Sequence, residues 1–296
     1  MSKSQPGTAA SRNQRRLLIV FGFSTVYLVV EVIGGFITGS LALLADAGHM
    51  LTDVAGLGLA LMAIRFGARP ATPARTFGYY RAEILAALTN AVVLIGISLY
   101  ILYEAYQRFR TPPAVASGGM LAVASVGLVV NLAGMRLLRD ASSESLNMKG
   151  AYFEVLSDML TSIGVIIAGL IMITTGWYYA DPLISAGIGL FILPRTWKLL
   201  REATVVLLEG TPADVDIEAV RRTIAALPGV AAVHDLHAWT LTSGTNALSA
   251  HVVADANTHQ SDLLRAVHDG VTGAHAFAHV TIQIEPGGWE QGDTHA

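Results

Sequence analysis

The 296-residue sequence contains no cysteine. Disulfides and thiolate metal centres are therefore excluded, and any bound metal must be held by histidine, carboxylate or backbone oxygen. Charge is scarce: Asp, Glu, Lys and Arg make up 14% of the residues, well below the roughly 25% of an ordinary soluble domain. No stretch reads His-Glu-x-x-His or Gly-x-x-x-x-Gly-Lys-Ser/Thr, so a zinc-peptidase helix and a phosphate-binding loop are both missing. No soluble region is long enough for a nucleotide-hydrolysing module, and no internal repeat or low-complexity tract is visible. These absences speak against an intramembrane metalloprotease, a pump or any other enzyme, and no organic cofactor is expected. What the chain has in abundance is apolar surface, with 53% hydrophobic residues and a mean hydropathy of +0.52.

A bilayer core of about 30 Å is crossed by about 20 apolar residues in a helix. Six segments qualify: 17–38, 41–64, 84–103, 118–138, 151–174 and 182–199. The last is the weakest because Pro194 interrupts it. The links Gly39-Ser40 and 176–181 are short, which makes the first and second helices, and the fifth and sixth, antiparallel neighbours. The basic cluster Arg12, Arg15 and Arg16 leads into a run of full spanning length, as in a retained first helix and unlike the shorter core of a cleaved secretory signal. Lysine and arginine then set the orientation. Lys3 and the arginine cluster precede the first helix. Arg65, Arg69, Arg75 and Arg81 follow the second, and Arg136, Arg139 and Lys149 follow the fourth. Arg195, Lys198 and Arg201 mark the exit of the sixth, and only Arg108 and Arg110 fall on the opposite side. Both termini are expected in the cytoplasm, and the short loops and absence of cysteine fit a bacterial inner (plasma) membrane.

Past Arg201 the character changes, with eight of the nine histidines beyond Glu209. The pattern reads as a helix opening at Thr211-Pro212 and running through 215–227, strands at 230–241 and 247–254, a helix at 261–271 and a strand at 280–285. The expected division is a cytoplasmic tail over 1–14, a transport domain over 15–201, a regulatory domain over 209–287 and a tail over 288–296. The fold class expected is a membrane all-α domain of six helices followed by an α+β cytoplasmic domain.

Chemistry concentrates on two of the spanning helices. The second carries His49-x-x-x-Asp53 and the fifth Glu154-x-x-x-Asp158, so each pair lies on one helix face. With the two helices antiparallel, Asp53 is level with Glu154 and His49 with Asp158. Each charge near the bilayer centre costs about 2.5–3.5 kcal/mol on insertion scales, and four ionisable groups together call for a cation or protons to neutralise them. Nitrogen and oxygen ligands of this kind suit first-row divalent ions. They bind only when deprotonated, so metal and proton exchange is a chemical expectation. Asp46, one turn outward from His49, is either a partner supporting the ligands or a group near the outer water. Glu31 and Glu104 also lie in apolar spans, where helix packing or an outer vestibule explains them as well as metal does. In the C-terminal region His234, His237, His251, His268, His279 and Glu285 are available. Period-two alternation places Glu285 on the polar face of its strand, within reach of His251 on a neighbour. His259, His275 and His295 are read as ordinary solvated side chains.

Four ordered motifs resemble the cation diffusion facilitator family: Gly39-Ser-Leu-Ala-Leu-Leu-Ala-Asp-Ala-Gly-His-Met-Leu-Thr-Asp53, Phe77-Gly-Tyr-Tyr-Arg-Ala-Glu-Ile-Leu-Ala86, Asn147-Met-Lys-Gly-Ala-Tyr-Phe-Glu-Val-Leu-Ser-Asp158 and Val233-His-Asp-Leu-His-Ala-Trp239. The resemblance implies a homodimeric six-helix exporter of zinc and related divalent ions, driven by proton exchange, with a ferredoxin-like cytoplasmic domain that binds metal and regulates transport. By resemblance the transport site is His49, Asp53, Glu154 and Asp158, and the cytoplasmic ligands are His234, His251, His279 and Glu285. Zinc-transporting members often have histidine where this chain has Glu154. The extra carboxylate hardens the site and opens it to iron, cobalt or manganese as well as zinc, and cadmium is counted among the related ions exported. The loop 65–81 lacks the histidines that form a further metal site in some members, and the loop after the fourth helix is not histidine-rich, so neither is expected to bind metal. The implied partners are divalent ions, protons, the lipid bilayer and a second copy of the chain. Nucleic acid, which favours a basic face, is not among them. The competing reading is a membrane-anchored metal sensor or scaffold that binds metal without moving it.

Overall fold

The computed structural model describes residues 9–67, 72–139, 146–242 and 244–287. Six long helices come first: α1 (Ala9–Thr38), α2 (Leu41–Gly67), α3 (Tyr80–Arg110), α4 (Ser117–Arg139), α5 (Leu146–Thr175) and α6 (Ala180–Leu207). Among the described residues, α1, α3, α4, α5 and α6 are long and apolar enough to cross a bilayer, and α2 carries the apolar stretch Leu41–Thr52 within its 27 residues. Large side chains such as Phe36 and Ile37 on α1 are 73% and 78% exposed, which water would penalise and lipid does not. The chain is a multi-pass membrane protein. Its polar groups turn the other way, for Glu31, Asp46, His49, Asn131, Asp158, Ser162 and Asp181 are all buried, as intramembrane polar groups must be.

Small residues let the helices approach. Ala42 and Ala45 of α2, Ala105 of α3, Ala124 of α4 and Ala168 of α5 pack with Leu41, Ile101, Met120, Val165 and Ile188 in one core cluster. On α4, a Cβ at Gly127 would lie 2.1 Å from the Tyr27 hydroxyl. Glycine there is what allows Tyr27 to lie between α1 and α4 and donate to Glu31 Oε1 at 3.1 Å.

The helices outrun the apolar segments read from the sequence. α3 continues past Tyr103 because Glu104 and Arg108 pair across one turn at 3.1 Å. α6 continues past Pro194 to Leu207; the missing N–H costs one helical hydrogen bond, which a membrane helix packed among others tolerates. The α1–α2 connection turns on Gly39 at φ 70°, a left-handed conformation that glycine adopts without penalty. Beyond it the first N–H groups of α2 find an unforeseen partner. Asp181, at the start of α6, accepts from Leu41 N at 3.0 Å, Ala42 N at 3.1 Å and Ser40 Oγ at 2.7 Å. Arg108 Nη1 reaches Asp181 Oδ2 at 3.3 Å and Gly39 O at 2.6 Å.

The C-terminal module follows as α7 (Ile217–Ala225), β1 (Val230–Thr242), β2 (Thr245–Ala254), α8 (Gln260–Ala274) and β3 (His279–Glu285). Its sheet has the order β1-β2-β3, with β1 and β2 antiparallel and β2 and β3 parallel. The parallel pair requires a crossover, and α8 supplies it. Val220 and Ile224 of α7 and Leu263, Val267 and Val271 of α8 bury against Leu236, Ala238, Leu248, Ala250 and Val252 of the strands, giving an α+β fold with one covered face. The helix expected to open at Thr211-Pro212 begins instead at Ile217, because the Asp216 side chain caps it by accepting from Glu218 N and Ala219 N.

The described residues form two compact units, the first within Met1–Leu61 and Thr89–Leu200, the second within Met62–Leu88 and Arg201–Ala296. The second unit thus takes in the end of α2 and the start of α3. In it Arg81 pairs with Glu209 at 2.8 Å, and Thr242 donates to Glu83. Of the tails read from the sequence, residues 1–8 and 288–296 lie outside the described residues, as do 68–71 and 140–145 of the two loops expected to lack metal sites.

Candidate metal centres

The face of α2 that carries His49 meets the face of α5 that carries Asp158. His49 Nε2 lies 3.6 Å from Asp158 Oδ1, with the two side chains 2% and 6% exposed. Ser157 Oγ is 3.4 Å from the same imidazole nitrogen. Helical periodicity explains why these two faces, four residues apart along each helix, come together. One turn away, Ser162 Oγ donates to Asp46 Oδ2 at 3.5 Å, and Asn131 Nδ2 donates to Ser162 Oγ at 3.4 Å. Asp46 and Glu31 are both buried. Asp46 is therefore enclosed within the bundle. Glu104, by contrast, is taken up by Arg108.

Glu154, one turn before Asp158 on α5, engages a group that the sequence reading had used only for topology. Arg195 Nη2 of α6 lies 2.9 Å from Glu154 Oε1. Four residues earlier on α6, the Phe191 ring stands edge-on to the His49 ring with centroids 6.1 Å apart. α6 therefore flanks the cluster, and Arg195 lies within the helix, not at its exit. Asp53 is on α2 one turn from His49, and its side chain lies outside the described residues.

In the C-terminal module three ligand-bearing side chains converge. His234 and His251 are cross-strand partners on β1 and β2, and His251 stands beside Gln283 on β3. Glu285 is two residues further on, so its side chain emerges on the same face. His234 Nε2 is 2.9 Å from Glu285 Oε2, and His251 Nδ1 is 2.9 Å from Glu285 Oε1. The second approach is off the hydrogen-bonding angle. The two rings meet edge to face at 5.3 Å, and one ligand atom from each of the three residues lies within 4.8 Å of the others. A bulge at Asp235, whose φ is 49°, shifts the β1 register after His234. It turns the Asp235 carboxylate to 2.9 Å from His237 Nε2 and 3.7 Å from His251 Nε2.

His279 does not join this group. It opens β3, six residues before Glu285, which at about 3.3 Å per residue is roughly 20 Å along the strand, and it packs against the Phe77 ring at 5.6 Å. Sharing a strand face is not sufficient for sharing a metal. His268 pairs with the adjacent Asp269, and His275 faces Thr223 Oγ1 at 3.1 Å. His259 occupies the cap position of α8 without a side-chain cap, while His295 is outside the described residues.

A buried imidazole and carboxylates on facing membrane helices, with a second nitrogen and oxygen cluster in the C-terminal module, make a membrane protein suited to handling metal cations. Sequence comparison agrees. Residues 17–208 match the cation efflux transmembrane domain, and residues 212–287 match the cytoplasmic domain of cation efflux proteins. The chain belongs to the cation diffusion facilitator family, whose members are metal transporters and not enzymes. It is 49% identical over 282 residues to the metal cation efflux system protein CzcD of Cupriavidus metallidurans, covering 95% of this chain and 89% of that protein. It is 44% identical over 283 residues to a cadmium, cobalt and zinc/H(+)-K(+) antiporter of Bacillus subtilis, with 92% and 89% covered. The zinc transporter ZitB of Escherichia coli is 44% identical over 275 residues, with 92% and 88% covered.

Proposed function

We propose that this protein exports divalent metal cations from the cytoplasm in exchange for protons. Zinc is the foremost substrate, and iron, cobalt, cadmium and manganese are accommodated. His49, Asp53, Glu154 and Asp158 form the transport site, supported by Asp46. The observation that carries this reading is the buried approach of His49 to Asp158 across two membrane helices. Isolated polar groups in lipid are costly, and a cation repays their enclosure. Release on the far side needs a competitor for the ligands, and protons serve because imidazole and carboxylates bind metal only when deprotonated. Relatives named as a cadmium, cobalt and zinc antiporter and as a zinc transporter support this choice of ions.

The protein works as a homodimer in the bacterial inner membrane with both termini in the cytoplasm. Its family's cytoplasmic module is classed as a dimerisation domain. There His234, His251 and Glu285 bind a regulatory metal. Glu285→Gln, nearly isosteric at a position only 1% exposed, is expected to leave the domain folded and to remove this metal. Zinc titration followed by calorimetry checks it: a binding component lost from the wild-type profile is expected, and an unchanged profile contradicts the assignment.

The test of the transport reading is metal uptake into proteoliposomes, comparing zinc, cadmium, cobalt, iron and manganese. Glu154→His replaces a hard carboxylate by imidazole, and the ratio of zinc to manganese uptake is expected to rise by about tenfold. An identical series before and after rejects Glu154 as a selectivity ligand, and metal binding without uptake in the wild type favours a sensor.

A further inference from the structure

Arg195 is a feature of the membrane unit that a cation carrier has no obvious use for, since a fixed positive charge near the ligands repels the cargo. Its placement is nonetheless specific. Arg195 and Phe191 are four residues apart and so share a face of α6. Phe191 touches His49 and Arg195 holds Glu154 at 2.9 Å. A guanidinium keeps its charge at every physiological pH. It is therefore a cation that does not leave when protons or metals do.

We propose that Arg195 is the resident counter-ion of the transport site: it holds Glu154 while the site is empty and is displaced from it when metal binds. This inference rests on the proposed ligand role of Glu154. Glu154 and Asp158 stand one turn apart on α5, and without metal the repulsion between such carboxylates is relieved by a local cation. A metal coordinating a Glu154 oxygen at about 2.0–2.2 Å competes with the guanidinium for its lone pairs and repels it as a like charge. Metal binding and the Arg195–Glu154 pair thus oppose one another. The pair is suited to exchange, because neither side chain is enclosed by the protein: they are 51% and 43% exposed. Once the metal leaves, Arg195 recaptures Glu154. Arg195 lowers affinity in return for release, which a carrier needs and a sensor does not.

The test is zinc binding to the full-length protein in detergent, taking as transport-site binding the component that disappears in Asp158→Ala. Arg195→Gln is expected to tighten that component by about tenfold, as relief of a like charge beside a desolvated site does. Arg195→Met, which keeps the apolar stem, gives the same result should the glutamine variant fail to fold. Arg195→Lys retains the charge and stays near the wild-type affinity. In a Glu154→Gln background the gain from removing Arg195 shrinks, because the competition is already gone. If Glu154→Gln weakens the component but neither neutral replacement of Arg195 tightens it, the ion pair is only a structural brace; the proposal is overturned and the ligand reading stands. If no component depends on Asp158, or Glu154→Gln leaves it unchanged, the ligand reading fails and the proposal falls with it.

Discussion

Replacing Asp158 by alanine is expected to reduce metal transport by at least about a hundredfold, since loss of a group that merely orients a ligand already costs 10- to 100-fold. Asp158 is 4% exposed and stands 3.6 Å from the imidazole of His49. Its removal strips the carboxylate from this pair and leaves His49 facing the Ser157 hydroxyl. Folding is not expected to suffer, because the substitution also removes a charge that is expensive to keep in a membrane interior. Initial uptake rates in proteoliposomes, with elution from a sizing column as the control for folding, provide the check. Uptake within tenfold of the wild type would mean that Asp158 is not a ligand. Lowering the pH is expected to act in the same direction on the wild type, because protonated ligands do not bind metal.

Asp181→Ala is expected to act on the scaffold. The carboxylate of Asp181 is fully buried, receives Leu41 N, Ala42 N and Ser40 Oγ, and faces Arg108. Alanine leaves the guanidinium without this partner and the start of α2 without its cap. Breaking a buried ion pair costs about 3–5 kcal/mol, and a lost cap adds about 1 kcal/mol. A fall of roughly 10 °C in the apparent unfolding temperature is expected for a bundle of this size. Asp181→Asn, which retains one acceptor oxygen, should lose less. An alanine variant as stable as the wild type would show that other groups satisfy Arg108 and the start of α2.

What the sequence made legible follows the physics of each element. Long apolar runs are visible because lipid demands them, and the strands of the C-terminal module are visible through their period of two. The ends of the helices were less legible, since α3 and α6 are extended by pairings and packing that no single residue announces. The approach of His49 to Asp158 was readable from four-residue spacing on two antiparallel helices. The Arg195–Glu154 pair was not, because Pro194 hides the continuation of α6 and arginines near helix ends are ordinarily counted for topology. Asp181 was equally silent: its partners lie on α2 and α3, far away in sequence. In the sheet, Glu285 and His251 were legible from strand alternation. The bulge at Asp235 and the distance of His279 from Glu285 depend on register, which the sequence does not print.

Metal-for-proton exchange is tested most directly by trapping a pH-sensitive dye inside sealed proteoliposomes and adding zinc outside. The account predicts a zinc-dependent proton movement opposite to the metal in the wild type, and none in Asp158→Ala. Zinc uptake without any proton movement, or zinc binding with neither, would contradict it.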